Sequence, residues 1–201
     1  MRDLFYAAAV SFTRTQLDSY RDATVPDLLG ERTQLLFVGI NPGLWTAAVQ
    51  AHFARRGNRF YPALYRAGIV DRVIDAAAGY SAEDRALLLA AGVGITNLAP
   101  RATARADELT ATELEAGARR LVELVDRVAP AVVAVLGITA YRIAFSRPRA
   151  TVGQQPDRLA GAQLWVVPNP SGLNAHSSLD DLARAYREAA VAAGLIPPPE
   201  H

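Results

Sequence analysis

One stretch of the chain is apolar at every position and therefore limits the folds that the chain can adopt. Residues 131–136 read Ala-Val-Val-Ala-Val-Leu, and a strand of this kind is buried on both faces, as in the centre of a parallel sheet. Apolar runs over residues 33–40, 93–98 and 163–167 predict three more strands. The predicted sheet therefore has four strands.

Helical signals alternate with these strands. Capping patterns begin at Ser81, Thr110 and Ser178, and the apolar residues behind Thr110 recur every three or four positions. Shorter helices are predicted near residues 59–67 and 139–145. Residues 44–58 are predicted as a loop, and residues 147–161 as a loop or a small hairpin. Each strand with its helix takes roughly 30 residues, which favours parallel strands joined by helices. The predicted fold class is α/β, a three-layer α/β/α sandwich with a central, mostly parallel four-stranded sheet.

The composition fits one folded domain. Of the 201 residues, 51% are hydrophobic and 20% are charged, which excludes wholesale disorder. Residues 1–32 are predicted as an N-terminal helical arm, residues 33–194 as the domain, and residues 195–201 as a frayed C-terminal tail. No apolar run approaches the length of about 18 residues that a membrane span needs. We expect a monomeric, cytoplasmic protein with no membrane partner.

The residue types that are missing exclude several chemistries. The chain has no cysteine, so it has no disulfide, no zinc–thiolate site and no cysteine nucleophile. All 21 basic residues are arginines. Without a lysine side chain, neither a Walker-type phosphate loop nor a lysine Schiff base can form. The three histidines (His52, His176 and His201) are far apart in the sequence, and we expect no metal and no cofactor.

Two rigid polar turns follow predicted strands. Asn41-Pro42-Gly43 follows the first strand, and Asn169-Pro170-Ser171-Gly172 follows the last. In parallel sheets flanked by helices, ligands bind beyond the carboxyl ends of the strands, so both turns are candidates for a binding site. The first turn lacks the glycine spacing that holds a dinucleotide pyrophosphate. Each turn taken alone is also a common way to end a strand.

The two turns together resemble the signature motifs of the mismatch-specific uracil-DNA glycosylases, the branch that includes thymine-DNA glycosylase. The first motif is Gly39-Ile40-Asn41-Pro42-Gly43-Leu44, and the second is Asn169-Pro170-Ser171-Gly172-Leu173. Three segments between them resemble the connecting segments of that family in the same order, over residues 58–61, 94–103 and 115–119. The resemblance covers residues 33–190.

The resemblance implies an α/β/α domain that flips a damaged or mispaired base out of duplex DNA and hydrolyses its N-glycosidic bond. It implies that Asn41 positions the attacking water. Asn169 stands where related uracil glycosylases carry a histidine, and is implied to polarise the leaving base. The implied base-binding residues are Gly39, Ile40, Thr46, Phe53 and Asn97. The implied wedge that fills the gap in the duplex consists of Ser171, Gly172, Leu173 and Asn174.

Five arginines and a single acidic residue, Asp71, lie within residues 55–72. A basic cluster beside the first motif is predicted to contact DNA phosphates, with Arg55, Arg56 and Arg59 as the phosphate-binding residues. The alternative is an ordinary helix face that is exposed to solvent.

These expectations describe a monofunctional DNA glycosylase of base-excision repair. Its partner is double-stranded DNA that contains a mispaired or damaged base: uracil opposite guanine, with etheno-cytosine and hypoxanthine as further candidates. Glycosylases that also nick the strand use an amine to form a Schiff base, so a chain without lysine is expected to leave an intact abasic site. Two alternatives stay open at this point. One is a non-catalytic reader of damaged DNA on the same scaffold, and the other is a flavodoxin-like binder of small molecules.

Overall fold

The computed structural model describes residues 10–172 and 177–198. These residues form one sheet of five strands in the order β2-β1-β3-β5-β4. The strands are β1 (Leu35–Gly39), β2 (Val93–Asn97), β3 (Val132–Leu136), β4 (Gly153–Leu159) and β5 (Ala162–Val167). β1 is parallel to β2 and β3, and β3 is parallel to β5. The carboxyl ends of these four strands therefore lie at one edge of the sheet, termed the carboxyl edge below.

The described part of the chain has seven α-helices and one short 3₁₀ helix, Ala106–Glu108. The α-helices are α1 (Arg14–Asp18), α2 (Leu44–Val49), α3 (Phe60–Arg66), α4 (Ala82–Ala90), α5 (Ala111–Val128), α6 (Ile138–Ala144) and α7 (Leu179–Ala192). Ser81, Thr110 and Ser178 each accept a hydrogen bond from the backbone N–H three residues further on. The capping patterns in the sequence therefore mark the starts of α4, α5 and α7.

Alternate residues of each central strand face opposite sides of the sheet, and both sides are covered. Leu35 and Phe37 of β1 pack with α3 and α7, whereas Leu36 and Val38 pack with α5 and α6. Every residue of β1 and β3 is buried, which explains why residues 131–136 are apolar throughout. The predicted three-layer α/β/α sandwich is confirmed.

The sheet has five strands, whereas the sequence predicted four. The additional strand, β4, is antiparallel to β5 and lies at the edge of the sheet. Only Gln155 and Leu159 of its seven residues are buried, and it contains Pro156, which edge strands tolerate. Such a polar edge strand lacks the apolar run that identifies a buried strand, so residues 147–161 indicated no more than a loop or a small hairpin.

A second difference is α2, which lies within the predicted loop of residues 44–58. This helix follows Gly43, which makes no side-chain cap, and it ends at Gln50 in a left-handed conformation. The start of a helix is usually recognised by a capping Ser, Thr, Asp or Asn. Because α2 has no such residue at its start, its sequence does not predict it.

Candidate functional site

The two polar turns lie close to each other at the carboxyl edge. β1 and β5 flank β3 in the sheet, so the end of β3 lies between the turns that follow its neighbours. Gly137 occupies this point, and a Cβ atom there would lie 3.6 Å from both Ile40 Cδ1 and Asn169 Nδ2. Its φ of 118° also favours glycine. Side chains of the two motifs therefore meet across Gly137.

The Asn41 amide is held in one orientation. Its Nδ2 donates to Thr103 Oγ1 at 2.7 Å and to the carbonyl oxygens of Arg101 and Pro42, both at 3.1 Å. The Thr103 hydroxyl gives its own proton to Arg105 O at 2.7 Å, so its oxygen accepts from Asn41. The described residues make no hydrogen bond to Asn41 Oδ1. This oxygen is therefore the group with which the half-buried side chain can hold a water molecule.

A second amide, on Asn97, is oriented by a buried histidine. Asn97 is the register partner of Gly39, and its Nδ2 lies 3.3 Å from His52 Nδ1. His52 Nε2 lies 3.0 Å from Pro26 O. A carbonyl oxygen only accepts, so the ring proton is on Nε2 and Nδ1 accepts from Asn97. Burial lowers the pKa of the His52 imidazole and favours this neutral form.

With its Nδ2 bonded to His52, Asn97 turns its Oδ1 towards the end of β1. A Cβ atom at Gly39 would collide with Asn97 Oδ1 and would lie 3.3 Å from Phe53 Cζ, so glycine lets both side chains approach the strand. Phe53 has a φ of 54°, which is uncommon for phenylalanine, and its ring stacks on Phe60 with the centroids 4.1 Å apart. The structure thus brings together Gly39, Phe53 and Asn97, with a fixed acceptor oxygen beside an aromatic ring.

Two further residues predicted to bind the base have different surroundings. Ile40 lies at the meeting point of the two turns, and its carbonyl oxygen accepts from Ala99 N–H at 2.9 Å. Thr46 is buried within α2, and no described contact links it to Phe53 or Asn97. The geometry therefore places Ile40 beside Asn169 at Gly137, whereas no described contact brings Thr46 to the other predicted base-binding residues.

In the second turn, the oxygen end of the Asn169 amide is hydrogen-bonded, whereas at Asn41 it is the NH₂ end. Asn169 Oδ1 accepts from the backbone N–H of Ser171 at 2.9 Å, a local bond typical of asparagine in turns. The end of the amide that faces Gly137 is therefore the donor, Nδ2. Ser171 and Gly172 of the predicted wedge follow directly in the chain. Leu173 and Asn174 lie outside the described residues.

Arg59 is hydrogen-bonded to the second turn. Its backbone N–H donates to Pro170 O at 3.0 Å, and its Nη2 donates to Ser171 O at 3.0 Å. Nη1 donates to Ser177 O, so one guanidinium group bonds the chain on both sides of residues 172–176. Arg55 and Arg56 are exposed, as a phosphate contact requires. The phosphate-binding prediction therefore depends mainly on those two arginines.

Comparison with known proteins places this chain in a family. Residues 26–192 match the Uracil DNA glycosylase superfamily. The chain belongs to this superfamily. The fold is also similar to that of a candidate uracil DNA glycosylase from Methanosarcina acetivorans, solved by NMR in solution, with a TM-score of 0.57 and 17% sequence identity over 87% of this chain and 98% of that chain. The structural similarity shows the fold, and superfamily membership supports DNA glycosylase activity.

Three residues of this candidate site were not assigned a role from the sequence. Thr103 and His52 orient the amides of Asn41 and Asn97, and Gly137 leaves room for the two turns to meet. Thr103 lies within a segment that resembles the family, which was the one available signal. Because 62 residues separate it from Asn41, the spacing along the chain did not predict their contact.

Residues 10–172 and 177–198 contain no grouping of metal ligands and no helix suited to span a membrane. In this part of the chain, no three His, Asp or Glu side chains are grouped so that they could hold a metal ion. Among the same residues, no helix is long and apolar enough to cross a membrane.

Proposed function

We propose that this chain is a monofunctional glycosylase of the mismatch-specific branch, which flips uracil opposite guanine out of duplex DNA and hydrolyses its N-glycosidic bond. The observation that carries the proposal is the opposite orientation of two amides at the carboxyl edge. Asn41 has its oxygen available as an acceptor, and Asn169 turns a donor towards the meeting point of the turns. Glycosidic hydrolysis needs an acceptor that orients water and a donor that stabilises the departing base.

In the proposed reaction, Asn41 Oδ1 accepts a hydrogen bond from water and directs its oxygen at C1′ of the sugar. The C1′–N bond breaks, its electron pair leaves with the base, and the water oxygen bonds to C1′ while a water proton passes to the base or the solvent. Asn169 Nδ2 donates to the base as negative charge develops on it. An amide does not take a proton from water at neutral pH. The rate gain of about 10²–10⁴ from a general base is therefore absent, and turnover is slow.

The fixed Oδ1 of Asn97 favours a base that carries an N–H in its ring. Uracil and hypoxanthine present such a donor, whereas cytosine, adenine and etheno-cytosine present no N–H at the corresponding position. Stacking of the flipped base on Phe53 adds about 1–3 kcal/mol to the free energy of binding, and it does so for every base. Of the bases considered from the sequence, uracil and hypoxanthine therefore fit the site better than etheno-cytosine.

The cost of base extrusion favours mismatched sites. A mispaired base costs up to a few kcal/mol less to flip than a paired one, and a site without a general base depends on this difference for its selectivity. Residues 171–174 are proposed to fill the gap left in the duplex, as apolar wedges do in other DNA-bending proteins. Arg55 and Arg56 are proposed to bind phosphates beside the first motif.

Single-turnover excision from duplexes that differ in one base tests the proposal. We expect uracil to leave faster from a pair with guanine than from a pair with adenine, by about tenfold or more. Hypoxanthine opposite thymine should also be released, and cytosine opposite guanine should not. Asn41→Ala is the control for contaminating glycosylases, because it removes the proposed water ligand from the same preparation.

Two results would contradict this function. Tight binding to the uracil–guanine duplex without release of any base by the wild-type protein would identify a non-catalytic reader of damaged DNA. The expected product is an intact abasic site that breaks only after treatment with alkali. A protein–DNA adduct trapped by borohydride would contradict the monofunctional mechanism, because a chain without lysine has no side-chain amine and only its α-amino group could form a Schiff base.

A further inference from the structure

The segment that anchors Asn41 is itself held from its other side. Residues 101–103 run past the first turn, where Asn41 Nδ2 donates to Arg101 O and Thr103 N–H donates to Pro42 O at 3.1 Å. The residue between them, Ala102, points its backbone groups the other way, as successive residues of an extended chain do. Residues 101–103 therefore make hydrogen bonds on both sides, and only the side that bonds to Asn41 and Pro42 is part of the candidate site.

The N-terminal arm occupies the second side. Ala102 N–H donates to Ala23 O at 2.9 Å, and Asp22 N–H donates to Ala102 O at 3.0 Å. These two bonds fasten the end of the arm, at Asp22 and Ala23, to the backbone of Ala102. Residues 101–103, which fix the Asn41 amide, thus lie between the first turn and the N-terminal arm.

Charged side chains reinforce this pairing. Arg101 Nη1 lies 3.1 Å from Asp22 Oδ1, and its Nε donates to Glu113 of α5. The bond from Arg101 lowers the pKa of Glu113 to about 2. A second ion pair joins Arg21 to Glu108 at 2.6 Å. Arm, anchoring segment and α5 are therefore connected through Arg101, whose carbonyl oxygen also accepts from Asn41.

Apolar contacts extend the arm onto α2, the helix that follows the first turn. The Phe12 ring meets Trp45 edge-on, with the centroids 4.9 Å apart. Leu17 and Tyr20 pack against a buried cluster that includes Leu44 of α2 and Ala102. The arm therefore contacts both the anchoring segment and the helix on the far side of Asn41-Pro42-Gly43.

We propose that residues 12–23, termed the brace, position Asn41 for catalysis by fixing residues 101–103 and α2. The proposal rests on the proposed catalytic role of Asn41. The superfamily match begins at residue 26, so the brace lies outside the part of the chain that matches the superfamily. The brace touches neither DNA nor the reacting atoms in this scheme, and acts only through the orientation of the Asn41 amide.

A full-chain variant with Phe12→Ala, Leu17→Ala and Tyr20→Ala tests the brace. It removes the apolar contacts of the arm and leaves residues 39–53 and 97–103 unchanged. We expect the single-turnover excision rate on the uracil–guanine duplex to fall about tenfold, because small displacements of a positioning group have large effects on rate. The Kd for the duplex should stay within about threefold of the wild-type value, because the affected interaction is made in the transition state.

The matched control removes the same number of large apolar side chains elsewhere. Tyr65, Val73 and Val122 are exposed and lie outside the site and the arm, so Tyr65→Ala with Val73→Ala and Val122→Ala should keep the wild-type excision rate. Equal rates in the brace variant and this control would overturn the proposal. A further check adds Asn41→Ala to the brace variant. The two losses should not add, since both act through one amide.

Amide hydrogen exchange tests the brace without any measure of activity. The N–H groups of Ala102 and Thr103 bond to opposite neighbours, and both should exchange faster in the brace variant than in the wild-type protein. Rapid exchange at Ala102 with unchanged protection at Thr103 would show that the arm does not influence the Asn41 side, and would overturn the proposal. If the wild-type protein excises no base, the proposed function fails, and this exchange result still decides whether the brace fixes residues 101–103.

Should the triple variant lose its fold, as judged by circular dichroism, Phe12→Ala alone provides the milder test. It removes the ring contact with Trp45 and should lower the excision rate about two- to threefold, in line with the smaller apolar area lost. Phe12→Leu, which restores most of that area, should recover the rate. An unchanged rate in Phe12→Ala with an intact fold would overturn the proposal.

Discussion

The two turns at the carboxyl edge both begin with Asn-Pro, but they are anchored in different ways. In the first, the NH₂ end of Asn41 is bonded to Thr103 and Arg101, which are distant in the sequence. In the second, the carbonyl end of Asn169 is bonded to Ser171, two residues further on. The first amide is thus left with an acceptor and the second turns a donor to the site. The same residue type supplies two different groups because its neighbours bond to opposite ends.

This comparison has a chemical consequence. Water attacks from one side of the sugar and the base departs on the other, so the site needs opposite hydrogen-bonding characters at the two ends of the reacting bond. Two asparagines provide both characters without any ionisable group. Substitutions that change one end of one amide therefore separate the proposed roles.

The largest effect is expected for Asn41→Ala. It removes the only group proposed to direct the water, and the excision rate should fall by about 10² or more, as for loss of other preorganised polar groups. The Kd for a uracil–guanine duplex should change less than about threefold, because the interaction is made mainly in the transition state. Rate constants come from single-turnover excision and Kd from fluorescence anisotropy. Activity above a tenth of the wild-type rate would move the water-directing role to another residue.

Aspartate substitutions should distinguish the two turns. Asn169→Asp places a negative charge where the departing base becomes negative, so its rate should fall further than that of Asn169→Ala, for which we expect a loss of about tenfold. At Asn41 the order should reverse. Asn41→Asp loses the donor that bonds to Arg101 O and Pro42 O but keeps an acceptor oxygen for water, whereas Asn41→Ala keeps neither. The four single-turnover rates, with circular dichroism as the check on folding, give the result. The same order at both positions would argue against opposite roles for the two amides.

Thr103→Val should have an intermediate effect. Valine keeps the shape of threonine but removes the oxygen that accepts from Asn41 Nδ2 and the proton that Arg105 O receives. Loss of this bond, which is worth about 1 kcal/mol net, should lower the excision rate about five- to tenfold by loosening the amide. The Kd for the duplex should hardly change. Thr103→Ser retains the hydroxyl and should keep most of the activity. If serine and valine reduce the rate equally, the hydroxyl is not what orients Asn41.

Local patterns in the sequence predicted more of this molecule than distant contacts did. The apolar run at residues 131–136 and the capping patterns at Thr110 and Ser178 identify a central strand and two helices, because each signal is complete within a few residues. β4 was not predicted as a strand, because its pairing with β5, rather than its own polar sequence, stabilises it. α2 was missed because it follows Gly43 without a side-chain cap.

In the candidate site, too, local sequence patterns predicted more than distant contacts did. Asn41 and Asn169 stand out because each begins a rigid turn after a strand, and the family resemblance suggests roles for them. The residues that orient the amides begin no rigid turn, and the resemblance assigns them no role. Thr103 and Arg101 reach Asn41 through the parallel arrangement of the sheet and the extended segment beyond β2, and His52 reaches Asn97 from a loop 45 residues earlier. Only the folded chain brings these groups within hydrogen-bonding distance.

The smallest effect should be on the salt dependence of DNA binding. This measurement distinguishes arginines that bind phosphate from an arginine that holds the second turn. Arg55→Gln and Arg56→Gln should each flatten the plot of log Kd against log salt concentration by about one unit if each side chain neutralises a phosphate. Arg59→Gln should leave this slope unchanged, because its guanidinium bonds to Ser171 O and Ser177 O.

Arg59→Gln should instead lower the free energy of unfolding, by about 1–3 kcal/mol, since Ser171 O of the second turn and Ser177 O lose a charged donor. Excision should slow more on a paired uracil than on a mismatched one, because a less firmly held second turn offsets less of the cost of unstacking. Urea unfolding and the two excision rates measure these effects. If all three arginine variants flatten the slope equally, Arg59 binds phosphate as well. The backbone bond from Arg59 N–H to Pro170 O would remain, and the side-chain anchor of the second turn would then be its own Asn169–Ser171 bond. The contrast between a distant side-chain anchor for the first turn and a local one for the second would become sharper.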